Sequence, residues 1–332
     1  MAPIIISISP NQGPAAGGTA CTLTGSGFTG TTSVKFGTAP AQFTPVSDTK
    51  ISCTAPAGSG SVGVTATTPG GTSNSVTYTY LPAPAISSIT PSQGPTAGGN
   101  TVTIAGTNLS GATAAMFGSR SATITGNTGT QITVTAPAGA AAPVTVSVTT
   151  SGGTATGSSY YYIPLPTVTS VYPTLGPTAG GNIITITGTG LTLTSAVNFG
   201  SSAATGVAVL SDGQVTAQAP AGSATVTVTA TTPGGTSLPG VGNPFYTYVA
   251  LPVITILSPS QGPAAGGTSI TITGSNLTFA DSVTIGATPA AFVTVSDTKV
   301  VATAPVGTLG TATVLVHTPG GTSNAADYQY TP

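Results

Sequence analysis

Apolar and polar residues alternate along most of this chain, in short runs that stop at glycine and proline. Ala20 to Gly25 reads A-C-T-L-T-G, and the pattern returns at Thr101 to Gly106, Ile183 to Gly188 and Ser269 to Gly274. A period of two puts alternate side chains on opposite faces, which predicts strands with one buried and one wet face. In the first quarter of the chain it predicts strands near Ile4 to Ser9, Ala20 to Thr24, Ser33 to Phe36, Ala41 to Val46, Lys50 to Thr54, Ser61 to Thr67 and Ser75 to Tyr80. Seven short strands separated by turn residues suggest a β-sandwich. No stretch holds a helical period, and the density of Gly and Pro would break one.

The pattern is written four times. PNQGPAAGG from Pro10 returns as PSQGPTAGG at Pro91, PTLGPTAGG at Pro173 and PSQGPAAGG at Pro259. Gly-Pro sets a bend and Gly-Gly supplies backbone angles closed to other residues, so the motif reads as a strand-to-strand turn. The spacing predicts four domains, 1–82, 83–165, 166–251 and 252–332. Aligning the copies assigns Val34, Ala115, Val197 and Val283 to the core, with Phe36, Phe117, Phe199 and Ile285, and with Val64, Val146, Val228 and Val314. Gly27, Asn108, Gly190 and Asn276 share one position, and Gly alternating with Asn marks a left-handed turn. The connectors LPAP, IPLP and VALP restrict swivelling, so a semi-rigid rod is expected. Only the third copy carries an insertion, Leu238 to Pro244, in its last hairpin.

Composition narrows the function. Of 332 residues only four are Lys or Arg and five Asp, with no Glu and a single His. Hydroxyl groups therefore have to carry the solubility. The basic residues Lys35, Lys50, Arg120 and Lys299 are scattered, which argues against nucleic acid as a partner. No run reaches the roughly 18 apolar residues of a membrane span, so no membrane insertion is expected. The opening MAPIIISISP has neither a basic region nor a long apolar segment and does not read as a secretory signal.

Chemistry-bearing residues are few. His317 stands where the other copies have Thr67, Thr149 and Thr231, and it reads as a surface residue rather than a catalytic base. Asp48, Asp212 and Asp297 are equivalent positions in separate domains and read as turn residues. No catalytic, cofactor or metal site is expected. The paired aromatics Tyr78 and Tyr80, Tyr160 and Tyr162, Tyr246 and Tyr248, and Tyr328 and Tyr330 end each copy. Residues two apart on a terminal strand can cover the core edge, or form a contact platform for sugars.

The series I-x-x-I-x-P-x-x-G-P-x-x-G-G, V-T-I-x-G, V-x-F-G, I-T-V-x-A-P, V-x-V, P-G-G-T-S and terminal Y-x-Y resembles the IPT/TIG family of immunoglobulin-like domains. The second copy carries it most fully, at Ile86, Ile89, Pro91, Gly94, Pro95, Gly98, Gly99, Phe117 and Ile132 to Pro137. The resemblance implies an all-β chain of four tandem immunoglobulin-like β-sandwich domains, of the kind found in tandem on bacterial surface proteins. In the resembled fold the strands of Cys21 and Cys53 are neighbours, so a disulfide and a pair of buried thiols both stay open. The expected role is a non-enzymatic structural or adhesive rod, extracellular or at the cell surface, with a protein or glycan partner and self-association into fibres. A decoration protein of a phage or contractile-tail particle, and a glycan-binding module, are the alternatives.

Overall fold

The computed structural model describes residues 1–239 and 244–332. The insertion of the third copy therefore lies partly outside the described residues. The chain forms two compact halves, Met1–Ile163 and Pro164–Pro332, each holding two of the repeats.

Repeat 1 has the strands β1 (Ile4–Ser9), β2 (Gln12–Pro14), β3 (Ala20–Ser26), β4 (Ser33–Phe36), β5 (Ala39–Pro40), β6 (Gln42–Ser47), β7 (Lys50–Thr54), β8 (Ser61–Thr68), β9 (Gly71–Thr72) and β10 (Val76–Leu81). One sheet runs β1-β3-β7-β6 and the other β2-β10-β8-β4-β5, with β9 on β8. Repeats 3 and 4 reproduce both sheets. In repeat 2 a single strand, Arg120–Asn127, pairs with a member of each sheet and joins them. The corresponding stretch contains Pro40 in repeat 1 and Pro289 in repeat 4, and proline has no N–H to give to a ladder.

All seven expected strands are present, but the repeated motif does more than turn the chain. In it, β2 pairs in parallel with β10, Gln12 opposite Thr79 and Pro14 opposite Leu81. The motif thus carries the chain from one sheet to the other before Gly17 and Gly18, at φ 80° and 85°, reverse it. Periodicity could not show this, because three residues with a central glycine carry no alternation. A Cβ at Gly13 would overlap the Tyr78 hydroxyl, and Gly94, Gly176 and Gly262 face Tyr160, Tyr246 and Tyr328 in the same way.

Each repeat has its own core. In repeat 1 it comprises Ile5, Cys21, Leu23, Phe28, Val34, Phe36, Ile51, Cys53, Val64 and Ala66 with both tyrosines. The positions aligned as core are all buried in every repeat. Gly27, Asn108, Gly190 and Asn276 have φ of 75°, 55°, 68° and 60°, as the Gly/Asn alternation requires. Asn108 and Asn276 add a tie that glycine cannot, donating Nδ2 to the carbonyls of Ala83 and Leu251 at 2.8 Å.

Candidate functional site

The eight paired tyrosines are interior residues, at most 7% exposed. Tyr78 meets Phe36 edge-on at 5.0 Å between ring centroids and Tyr80 at 5.1 Å; Tyr160 and Tyr246 do the same with Phe117 and Phe199. Edge-to-face packing of this kind adds to burial energy and leaves no ring face for a ligand. The contact-platform reading of these residues is therefore corrected: alternation on the last strand points both rings inward, over β8 and its counterparts. Tyr160 donates to Asn100 Oδ1 at 3.1 Å and Tyr246 to Asn182 Oδ1 at 2.8 Å. Tyr162, Tyr248 and Tyr330 donate to the carbonyls of Pro137, Pro220 and Pro305. The hydroxyls of Tyr78, Tyr80 and Tyr328 are buried without a partner.

Cys21 and Cys53 are buried free thiols, directly opposite each other on β3 and β7. Burial pushes the Cys53 thiol up to about 12, and Cys21 up as well. Neither is ionised at neutral pH, so neither is a nucleophile as it stands.

The equivalent aspartates close a loop in repeats 1, 3 and 4, where repeat 2 has Gly129. Asp48 accepts from the Thr29 hydroxyl at 2.7 Å and from the N–H groups of Thr29 and Gly27 at 3.2 Å. Asp212 does the same with Thr192 and Gly190, and Asp297 with Thr278 and Asn276. The hydroxyl bonds, with the amide bonds behind them, hold Asp48 and Asp212 below the usual carboxylate range. These carboxylates act on their own loops, as turn residues do. Among the described residues no group of three or more His, Cys, Asp or Glu side chains comes together.

One pairing was not legible from residue types alone. His317 Nδ1 lies 2.7 Å from Asp281 Oδ1, with both side chains 49% exposed. In the other repeats the positions of this pair are Thr32 with Thr67, Thr113 with Thr149 and Ser195 with Thr231, each joined by the same backbone bond as Asp281 to His317. There the threonine instead shares a hydroxyl bond with a partner across the hairpin, as Thr67 does with Thr72. The expectation that His317 lies at the surface holds; its carboxylate partner is the addition. Asp281 lines an open cleft of about 420 Å³ between repeats 3 and 4, together with Tyr172, Leu175, Pro177, Asn182 and Pro319. Tyr172 ends the strand Thr167–Tyr172 and is 78% exposed. Its counterparts are Ser9, Thr90 and Ser258. That departure from the internal pattern was the signal available in the sequence.

The family model described as the IPT/TIG domain matches residues 3–80, 84–163, 166–248 and 252–330. The chain belongs to the IPT/TIG family. It is an all-β protein of four tandem IPT/TIG domains, and the aspartate latch and buried tyrosine pair recur on that scaffold. The chain is 30% identical over 298 residues to Fibrocystin-L of Mus musculus, a match that takes in 82% of this chain and 7% of that protein. Among solved structures it is similar to the full extracellular region of Plexin A4, at 17% identity and a TM-score of 0.39, over 93% of this chain and 34% of that one. It is also similar to SGBP-B from a complex xyloglucan utilization locus in Bacteroides uniformis, at 20% identity and a TM-score of 0.26, over 87% and 74%. The IPT/TIG array thus spans a small part of the curated relative, and likenesses this distant carry no argument about activity.

Proposed function

We propose that this IPT/TIG array is a non-enzymatic structural and adhesive module, extracellular or at a cell surface, that presents contacts to a protein or glycan partner and to other copies of itself. The observation that carries this reading is the use of chemically capable groups at shared positions. The aspartates latch loops, the tyrosines fill cores and the cysteines sit in one, so what the four domains have in common is scaffold. The surface is left largely to hydroxyls and to scattered apolar side chains such as Ile6, Tyr172 and Val293.

Self-association belongs to the same reading. The outer strand Ala291–Ser296 of repeat 4 has no charged residue and no proline, and it exposes Val293 and Val295 at 67% and 57%. Its equivalent β6 is interrupted by Pro45. An unprotected, uncharged edge is a template for pairing with a second strand. Sedimentation across a range of concentration and salt tests this, with association expected to persist in high salt because few charges are involved. A monomer of 31.6 kDa at every concentration would refute self-association. Immunogold microscopy of the source tests location: label on the envelope or on extracellular fibres is expected, and label confined to the cytoplasm refutes it.

A further inference from the structure

Four positions in the second half depart from the residues that the other repeats place there, and all four meet at one joint. Tyr172 replaces Ser9, Thr90 and Ser258, and Leu175 replaces Gln12, Gln93 and Gln261. Asp281 replaces Thr32, Thr113 and Ser195, and His317 replaces Thr67, Thr149 and Thr231. Three of these line the cleft between repeats 3 and 4, and the fourth holds Asp281 by its carboxylate. Scaffold demands cannot account for them, since the same framework is built elsewhere in the chain with serine, threonine and glutamine.

We propose that this cleft binds a neutral oligosaccharide of equatorially substituted pyranoses, the β-glucan class. The proposal rests on the surface-module reading above and names its ligand. A pyranose with equatorial hydroxyls has axial C–H groups that make flat apolar faces, and the exposed Tyr172 ring offers the negative π-face such groups seek. Leu175, Pro177 and Pro319 continue that apolar surface. The hydroxyl rim of the sugar needs acceptors and donors in fixed positions. Asp281 supplies a carboxylate that His317 orients through Oδ1, leaving Oδ2 to accept. Asn182 spends Oδ1 on Tyr246, and its Nδ2 has no protein acceptor among the described residues. A cleft of about 420 Å³ lies within the range of ligand sites, roughly 300–1,000 Å³. The carboxylate disfavours anionic ligands, and no Lys or Arg is among the residues that line the cleft.

The test is calorimetric titration of the full chain with cellohexaose and laminarihexaose, and with a galacturonic acid hexamer as the anionic counterpart. Three variants install residues that other repeats already carry at the same positions: Tyr172→Ser, Asp281→Ser and His317→Thr. Their thermal melts are expected to match the parent, so loss of binding would not reflect loss of fold. Saturable binding of a neutral hexamer is expected, weakened about tenfold or more by Tyr172→Ser and by Asp281→Ser, with no binding of the acidic hexamer. No binding of either neutral hexamer, binding unchanged in both variants, or preference for the acidic sugar would each overturn the proposal. A protein captured through this face with the sugars inert would overturn it as well. Envelope labelling in the presence of such a failure would leave the surface-module reading standing, which separates the two.

Discussion

The first tyrosine of each pair is a fourfold internal experiment in what a buried hydroxyl contributes. Tyr78, Tyr160, Tyr246 and Tyr328 occupy one position and are all fully buried. Tyr160 and Tyr246 are hydrogen-bonded to Asn100 and Asn182, whereas repeats 1 and 4 have Thr19 and Thr268 in place of the asparagines; the Tyr328 hydroxyl is left unpartnered, and that of Tyr78 has Thr19 and Cys21 beside it. Replacing Tyr160 or Tyr246 by Phe removes a made bond, a loss of about 1 kcal/mol, and asparagine's partial exposure lets water take up its oxygen. Replacing Tyr328 by Phe removes an oxygen that already bears a desolvation penalty of roughly 1–3 kcal/mol. Against the small void left behind, the net expectation there is between no change and about 1 kcal/mol of stabilisation. For a domain of this size 1 kcal/mol moves a midpoint by roughly 4–8 °C. Scanning calorimetry of the full chain should show one transition lowered in Tyr160→Phe while the others stay in place, because an array of domains does not unfold as one two-state unit. In Tyr328→Phe no transition should fall. A matching fall in Tyr328→Phe would mean that its hydroxyl is bonded, and would refute the reasoning.

Three further outcomes follow from the same side chains. Because Asp48 is held below its unfolded value by Thr29 and the loop amides, its contribution is complete above about pH 3.9 and lost as pH falls through the lower folded value. Amide resonances of Gly27 and Thr29 should shift with a midpoint below about 3.9, and Asp48→Asn should abolish that titration; a midpoint above it would contradict the latch. Burial raises Tyr78, Tyr80, Tyr160, Tyr162, Tyr246, Tyr248 and Tyr330, so their stabilising effect is complete below about pH 10 and lost as pH rises through the higher folded values. Tyrosinate absorbance from these rings should appear together with loss of the β-sheet circular dichroism signal; ionisation with the sheet signal intact would show that they are solvated. Iodoacetamide should leave Cys21 and Cys53 untouched in the native protein and add two groups after unfolding without reductant. No addition after unfolding would show a bridge between them, which their facing positions on β3 and β7 allow without a change of register.

The sequence by itself determined the sandwich and its repetition. Two-residue alternation assigned Val34, Phe36, Val64 and their counterparts to the interior, because strand geometry ties parity to face. Gly27 and Asn108 announced a left-handed turn, because few other residues adopt it. Tertiary structure alone decided what depends on separated segments meeting. The motif at Pro10 is a change of sheet because its partner, β10, lies some 65 residues further along, and no local pattern encodes that pairing. The tyrosine pairs could face core or solvent by periodicity, and only the packing of the folded domain, with Phe36 edge-on to Tyr78, fixed them inward. Asp281, just before the strand Ser282–Ile285, and His317, on the strand Gly310–Thr318, are 36 residues apart, so their bond exists only once those strands pair. The cleft beside them also needs Tyr172 from another domain. A repeated sequence specifies its framework at every copy, but a joint between copies is specified only where two of them touch.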